Sequence, residues 1–287
     1  MNSHSIFSSR YSQKDITTLY RIQNLNNFFN LQTVVLGVYS SSQRTILSED
    51  VVEHQKSAFL VGSTTSEEVV NQLQQKWNSN GILTINPAFI MDHLIDVNKI
   101  INSVRSSYFT EINEHEQCMT TLPICAVKSI KFVNENKSMD NPFYIDPASQ
   151  NVIAEYKIVY QVHKQFLEAL YESGETMSKE ARQSELAKLV NIYDDFYQKY
   201  LGNNNPLAMT VTQLKSIFGE SYFDKALNQS LNDQTNETIK DLIMREGDNL
   251  FSSKDEYKRL LSRKRTELIM QQNAECGYGS RSSYSWD

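Results

Sequence analysis

Residues 80–87, NGILTINP, carry the end of one helix, a buried strand and the start of a second helix. The Asn-Gly pair is a breaker that stops the preceding helix, and the short apolar run after it suits a strand. Asn86 followed by Pro87 is a cap residue with proline at the first helical position, a favoured way to begin a helix that here continues through Val104. The alternation of helix and strand predicts a layered sheet with helices packed on it.

The segments on the N-terminal side extend this alternation. Ser12 opens a capping-box pattern, and apolar residues follow at helical spacing as far as Phe29, which predicts a first amphipathic helix. Residues 33–39, TVVLGVY, are an apolar run typical of a strand buried on both faces. Thr65 caps the next helix. The apolar stripe expected on that helix comprises Val69, Leu73 and Trp77.

The second half of the chain opens with a predicted hairpin. Residues 124–133 are strand-like, residues 134–137 (NENK) supply a turn, and residues 143–145 can return as the second strand. Beyond about residue 152 the periodicity is helical throughout, with the clearest break at residues 202–206, GNNNP. The helical stretches lie near 153–172, 178–200, 210–218, 221–230, 235–246 and 253–272.

These patterns together predict the α+β class. We expect an α/β-like N-terminal half with a small mixed sheet and an all-helical C-terminal half. The corresponding domains are a mixed α/β domain over residues 1–150, a helical domain or insertion over 151–275, and a flexible tail over 276–287. A chain of 287 residues can bury a core of this size without metal or disulfide crosslinks.

Composition and charge limit the partners and the compartment. The net charge is −6, so the chain lacks the surplus of Lys and Arg that a general nucleic-acid binder needs, and we expect no nucleic-acid partner. Because no run of about 20 apolar residues occurs, we expect no membrane insertion. Three cysteines without framework spacing, and no signal-peptide pattern at the N-terminus, predict reduced thiols in the cytoplasm.

The familiar cofactor motifs are missing, so we expect neither a cofactor nor a metal. There is no glycine-rich phosphate loop, no paired-Cys zinc site and no His-Glu-x-x-His helix. Residues 111–118, EINEHEQC, do concentrate residue types that bind metals. The alternative, which we favour, is a solvated polar link before the next strand.

The last predicted helix carries a group of basic residues that could bind an acidic partner, a membrane surface or a phosphate group. The alternative is a solvated face whose positive charges suit the C-terminal end of a helix. The candidate binding residues are Lys258, Arg259, Arg263, Lys264 and Arg265.

Three segments, at residues 11–16 (YSQKDI), 123–147 and 271–277 (QQNAECG), resemble the SUMO-protease-like, or adenain-like, clan of cysteine peptidases. That clan includes secreted deubiquitinases and acetyltransferases of intracellular bacteria. The resemblance implies that Cys276 is the nucleophile, Asp146 the acidic member of the triad and Gln271 the oxyanion-hole residue. Where the clan places its histidine, this chain reads AVKS, so no imidazole is present to generate the thiolate.

The residues leave three functions open. We predict a protein-interaction protein acting inside a cell, with the Asn-, Gln- and Ser-rich composition of effectors that bacteria secrete into a host cytosol. Its partner would be another protein, such as a ubiquitin-like or other host protein. The alternative is a cysteine-dependent protease, deubiquitinase or acyltransferase using Cys276. A third function is group transfer by the N-terminal half, with a nucleotide or sugar held at its strand ends.

Overall fold

A computed structural model describes residues 16–25, 28, 31–38, 44–45, 57–58, 61–96, 116–119, 121–173, 177–219 and 236–252 of the chain. The strands in this part are β1 (Leu19–Gln23), β2 (Arg44–Thr45), β3 (Ser57–Ala58), β4 (Val61–Thr64), β5 (Gly81–Ile85), β6 (Ile95–Asp96), β7 (Glu116–Met119), β8 (Val127–Phe132) and β9 (Lys137–Asp140). The α-helices are α1 (Leu31–Leu36), α2 (Glu67–Trp77), α3 (Val152–Ser173), α4 (Lys179–Leu201), α5 (Val211–Phe218) and α6 (Ile239–Ser252).

Seven of these strands form one sheet in the order β6-β7-β4-β1-β5-β8-β9, and β2 pairs with β3 separately. Every strand pair in the described residues is antiparallel. After β9, the named elements of the described residues are all helical. The predicted α+β class is therefore confirmed.

The first predicted helix is wrong, because its central residues form strand β1 in the middle of the sheet. Leu19 pairs with Ile85 and Gln23 pairs with Gly81 across the β1–β5 ladder. A Cβ on Gly81 would lie 2.4 Å from Cγ of Leu25, so only glycine lets this leucine close over the end of β5. The apolar spacing fits a helix locally, but hydrogen bonds to two neighbouring strands outweigh that preference.

The strand predicted at residues 33–39 is also wrong, since Leu31–Leu36 forms helix α1. Val34, Val35 and Leu36 are all buried, and an apolar run that is buried on every side does not distinguish a strand from a helix. Gly37 ends this helix with φ of +75°, and a Cβ there would lie 2.4 Å from the carbonyl oxygen of Leu122. The close approach and the left-handed conformation both require glycine.

Helix α2 confirms the prediction of a capped helix, with a shift of one residue in the cap. The cap is Ser66 rather than Thr65, and its hydroxyl accepts a hydrogen bond from the backbone N–H of Val69. The residue that α2 buries is Val70, whereas Trp77, expected on the apolar stripe, is 65% exposed.

The helix predicted after Asn86 is replaced by two 3₁₀ turns, Pro87–Phe89 and Met91–His93, which strand β6 follows. The cap itself is confirmed, because the Asn86 side chain accepts a hydrogen bond from the N–H of Ala88. The predicted continuation beyond residue 96 lies outside the described residues.

The predicted hairpin forms from β8 and β9, with the second strand at Lys137–Asp140 rather than at residues 143–145. Asn141 then turns the chain inward. Its Nδ2 donates to the carbonyl oxygens of Ile124 (2.8 Å) and Val127 (2.7 Å), and its Oδ1 accepts from the N–H of Phe143. This buried amide places Phe143 in the core instead of in a strand.

Helices α3, α4 and α5 lie where the helical periodicity predicts them, and α6 begins a few residues later than expected. They share the core of the N-terminal half. The Tyr197 hydroxyl donates to the carbonyl oxygen of Val34 (2.9 Å), and the Phe89 and Tyr156 rings meet edge to face at 5.2 Å. The division into residues 1–150, 151–275 and 276–287 stays a prediction, because shared packing does not decide whether each part folds by itself. Residues 276–287 lie outside the described part.

Among the described residues, the structure contains no helix that is both long and apolar enough to cross a membrane.

Candidate functional site

A row of polar residues crosses three adjacent strands in the sheet, β7, β4 and β1. Gln117 pairs with Ser63 across the β7–β4 ladder. Tyr20 pairs with Thr64 across the antiparallel β4–β1 ladder, so the next pair is Ser63 with Arg21. Residues that oppose each other across a ladder lie on the same face of a sheet. We call Gln117, Ser63 and Arg21 the first polar rung.

The residues that continue this rung on the other side of β1 are apolar. Arg21 pairs with Leu83 of β5, and Leu83 pairs with Ile130 of β8. Leu83 and Ile130 are fully buried, while Ser63 and Gln117 are 6% and 5% exposed. Burying polar groups costs free energy unless they find partners, so the change from apolar to polar within one buried row marks a candidate functional site.

Arg21 is held in a defined orientation within the rung. Its Nη1 donates to the carbonyl oxygen of Gly62 at 2.7 Å, and its Nε donates to Oε1 of Gln23 at 3.0 Å. The guanidinium is therefore tied both to its own strand and to β4. A guanidinium that is positioned in this way suits recognition of carboxylate or phosphate groups, because its planar donors match their geometry.

The neighbouring residues of β4 tie the rung to its surroundings. The Ser63 hydroxyl donates to the carbonyl oxygen of Gln117 at 3.1 Å. The Thr64 hydroxyl accepts a hydrogen bond from the N–H of Ser66, also at 3.1 Å, which joins the end of β4 to the cap of α2. In both bonds a short polar side chain stabilises the fold, and together the bonds fix the position of the C-terminal end of β4.

A second polar rung lies one step further toward this end of the sheet, where β4 ends and β7 begins. It consists of Glu116, Thr64 and Tyr20, which are paired in the two ladders. Because consecutive residues of a strand alternate between the faces of a sheet, this second rung lies on the opposite face from the first. Glu116 is the first residue of β7, and residues 111–115 before it lie outside the described part. In the described residues, no group of three or more His, Cys, Asp or Glu side chains is placed to hold a metal ion.

Gln117 differs from the other members of the first rung. Its Oε1 is buried and has no hydrogen-bond partner in the part of the chain that the structure describes. Ser63 contacts the backbone of Gln117, and leaves this side-chain oxygen unsatisfied. An unpaired buried acceptor in a native structure requires an explanation, such as a bound ligand.

The described thiol, Cys125, lies in the core and has no features of a nucleophile. Burial raises the pKa of the Cys125 thiol far above its usual range, so the thiol is protonated at neutral pH. His163 is likewise a core residue, with Nδ1 3.0 Å from the Tyr193 hydroxyl and its ring packed against Tyr160 and Tyr193.

The structure tests few of the residues that the sequence singled out. Asp146 is exposed, and its Oδ1 accepts a hydrogen bond from the N–H of Ala148 at 2.9 Å in the turn before α3. Gln271 and Cys276 lie outside the described residues. So do the candidate binding residues Lys258, Arg259, Arg263, Lys264 and Arg265, whose role stays a prediction.

The sequence analysis missed Arg21, Ser63 and Gln117. A usable signal was present, because arginine between Tyr20 and Ile22 and the Gly62-Ser63-Thr64 triplet at a strand end are both unusual for a plain core. These residues could be recognised as one site only once the register of the three strands was known.

The chain belongs to the Lart1 ADP-ribosyltransferase family, whose model matches residues 10–261. Both polar rungs lie within the matched residues. The chain is similar to the NAD(+)--arginine ADP-ribosyltransferase Lart1 of Legionella pneumophila subsp. pneumophila, strain Philadelphia 1. The two are 24% identical over 245 residues, which cover 82% of this chain and 78% of the relative. No solved structure matches the chain.

The family match shows that the resemblance to SUMO-protease-like cysteine peptidases is wrong. The matched range includes residues 11–16 and 123–147, two of the three segments that suggested the peptidase. Short segments of ordinary composition produced the likeness, and the missing histidine already contradicted it. The peptidase roles of Cys276, Asp146 and Gln271 were implied by the resemblance alone, so they lose their support with it.

Proposed function

We propose that this protein transfers ADP-ribose from NAD⁺ to an arginine side chain of another protein. The observation that carries the proposal is the first polar rung, in which a fixed guanidinium, a hydroxyl and an unsatisfied carboxamide oxygen lie in one row. The rung lies inside the range matched by the Lart1 ADP-ribosyltransferase family. The name of the Legionella relative supplies the donor, NAD⁺, and the acceptor, arginine.

The residues of the two rungs fit the chemical groups of NAD⁺. Arg21 suits the pyrophosphate, because a guanidinium binds such oxygens with two parallel hydrogen bonds. When bound, NAD⁺ supplies the ADP-ribosyl group. The bond from ribose C1′ to the nicotinamide nitrogen breaks, and nicotinamide leaves with the bonding electron pair. A bond from C1′ to the arginine nitrogen forms, and that nitrogen loses a proton to solvent.

Glu116 is our candidate for the carboxylate that this reaction requires. Cleavage of a glycosidic bond develops positive charge on the sugar, and a nearby carboxylate stabilises that charge. Glu116 begins β7 opposite Thr64, in the rung next to the one that contains Arg21. Because the two rungs lie on opposite faces, Glu116 would act on the ligand from the end of the sheet, where β4 ends and β7 begins.

The transfer is tested with the full chain, labelled NAD⁺ and two peptides that differ only in having arginine or lysine as the acceptor. We expect the arginine peptide to gain the mass of one ADP-ribosyl group while the lysine peptide does not. Release of nicotinamide with no modified arginine in any acceptor, including the chain itself, would overturn arginine as the acceptor. Failure to bind NAD⁺ would overturn the whole proposal.

The role of Glu116 is tested by Glu116→Gln, which keeps the size of the side chain and removes its charge. Losing electrostatic stabilisation of a transition state costs about 10²- to 10³-fold in rate. We expect a loss of transfer of that size with NAD⁺ affinity within about threefold of the wild type. An unchanged rate would remove Glu116 from the mechanism.

The prediction of a protein partner is consistent with this function, since arginine transfer requires an acceptor protein. Nothing favours a ubiquitin-like partner over any other. We retain the proposal that the chain acts as a secreted bacterial effector inside a host cell, and the bacterial origin of the relative supports it. Immunodetection of the protein in host-cell lysate, separate from the bacteria, would test this; retention in the bacteria would contradict it.

A further inference from the structure

We infer that Gln23 is a positioning residue for NAD⁺ binding, because its neutral carboxamide orients the guanidinium of Arg21 and leaves the positive charge for the pyrophosphate. The inference rests on the proposed function, since it concerns the residue that would bind the pyrophosphate in the same site. Its support is the hydrogen bond from Nε of Arg21 to Oε1 of Gln23 at 3.0 Å, together with the bonds that hold Gln23 itself.

Gln23 lies on the same face of the sheet as Arg21. The two residues are two positions apart on β1, so their side chains share one face and their Cα atoms are about 7 Å apart. Both residues are half-buried, and a hydrogen bond between partly desolvated groups is stronger than one in open water. The carboxamide of Gln23 is therefore placed to act on the face that carries the first polar rung.

Gln23 is held both at its backbone and at its side chain. The backbone pairs with Gly81 in the β1–β5 ladder, and the carbonyl oxygen accepts a hydrogen bond from the Ser79 hydroxyl at 2.7 Å. The side-chain Nε2 donates to the carbonyl oxygen of Asn24 at 3.2 Å. Because arginine Nε only donates and a carbonyl oxygen only accepts, one orientation of the amide satisfies both partners. Oε1 of Gln23 is therefore kept toward Arg21.

The guanidinium of Arg21 is bound at two nitrogens by groups on two strands. Gln23 of β1 accepts from Nε, and the carbonyl oxygen of Gly62 on β4 accepts from Nη1 at 2.7 Å. Two such bonds fix the plane of the guanidinium. A guanidinium that is already oriented loses less side-chain entropy when it binds a phosphate, so both anchors favour binding of the pyrophosphate.

The neutrality of Gln23 matters as much as its hydrogen bond. A glutamate has the same length and would accept the same bond from Nε. Its carboxylate would also pair with the positive charge of Arg21 and would compete with the pyrophosphate for it. A carboxamide fixes the orientation of the guanidinium without this competition.

The test compares the wild type with Gln23→Met and Gln23→Glu. Methionine keeps the unbranched shape of the side chain and removes the amide, whereas glutamate keeps an acceptor and adds a charge. Gln213→Met and Gln213→Glu are the matched controls, because Oε1 of Gln213 accepts from the N–H of Thr210 at 2.8 Å in the capping box of α5. Calorimetric titration of NAD⁺ gives the affinities, thermal melting without ligand gives the stability, and transfer assays give kcat and KM.

We expect Gln23→Met to bind NAD⁺ about three- to tenfold more weakly, the loss of one hydrogen bond. Gln23→Glu should melt at or above the wild-type temperature and yet bind NAD⁺ about tenfold or more below the wild type. A residue that served only the fold would not separate the melting temperature from the affinity in this way.

The kinetics and the controls sharpen this expectation. In both Gln23 variants KM for NAD⁺ should rise while kcat stays within about threefold, because the pyrophosphate contact is made in the ground state and the transition state alike. Both Gln213 variants should bind NAD⁺ normally. Only Gln213→Met should melt lower, since glutamate also completes a capping box.

The results that would overturn the inference are distinguishable from failure of the proposed function. Wild-type affinity in Gln23→Glu would show that the anchor need not be neutral, and would overturn the inference. Wild-type affinity in both variants would remove Gln23 from NAD⁺ binding and leave the proposed function unaffected. If the wild type binds no NAD⁺, the proposed function fails and the inference fails with it. Should Gln23→Met not fold, Gln23→Glu decides the outcome alone, because it retains an acceptor for Arg21.

Discussion

Replacing Arg21 with lysine tests whether the guanidinium itself, and not only its charge, holds the donor substrate. In the structure Arg21 donates to the carbonyl oxygen of Gly62 at 2.7 Å and to Oε1 of Gln23 at 3.0 Å. A lysine ammonium has no planar fork with which to keep both anchors and bind a pyrophosphate with parallel hydrogen bonds. We therefore expect Arg21→Lys to lose the oriented contact and to keep a point charge.

The size of the effect follows from the hydrogen bonds that are lost. A hydrogen bond to a charged group contributes about 1.5–3 kcal/mol, and each 1.4 kcal/mol is about tenfold in affinity. Loss of one such bond to the pyrophosphate predicts binding of NAD⁺ about 10- to 100-fold weaker. The fold should survive, because the ladders of β1 with β4 and β5 use backbone groups that the substitution leaves in place.

The assay is calorimetric titration of NAD⁺ into both proteins, with circular dichroism melting as a folding check. Arg245→Lys is the matched control, since Arg245 of α6 forms an exposed ion pair with Glu237 at 2.8 Å. That substitution should leave NAD⁺ affinity unchanged. Affinity of folded Arg21→Lys within twofold of the wild type would refute the assignment of Arg21 to the pyrophosphate.

Two further predictions concern stability. Asn141→Leu removes three buried hydrogen bonds, among them those to the carbonyl oxygens of Ile124 and Val127. We therefore expect urea denaturation to give a free energy of unfolding about 2–4 kcal/mol lower, and a loss below about 1 kcal/mol would contradict that role. Burial raises the pKa of the Cys125 thiol, so its contribution is present below the unfolded pKa of about 8.5 and is lost as pH rises above it, because only the unfolded thiol then ionises. Denaturation at several pH values should show stability falling more steeply in the wild type than in Cys125→Ala between about pH 8.5 and 9.5, and equal slopes would refute this.

Local signals in the sequence were sufficient to predict most of the described helices in the C-terminal half. Helix α4 begins at a serine cap and ends at Gly202, and α5 begins with a full capping box at Thr210. Caps, breakers and helical periodicity act within a few residues, so the sequence carries them directly. The α+β class followed from the same kind of signal, since strand-like runs cluster before residue 146 and helical ones after it.

The candidate site could not be predicted in this way. Arg21, Ser63 and Gln117 are separated by 42 and 54 residues in the chain, and no local pattern shows that the three meet. The apolar residues around Arg21 even recur at the spacing of a helix. What makes it a strand is pairing with β4 and β5, which no local pattern encodes.

The sequence by itself determined the fold class, the caps and breaks of the long helices, and the absence of familiar cofactor motifs. Only the tertiary structure decided that β1 is a strand and that three distant polar residues share one rung of the sheet. The physical reason is the range of the interactions. A helix closes its hydrogen bonds four residues away, whereas a sheet closes them between segments far apart, and its register decides which side chains meet.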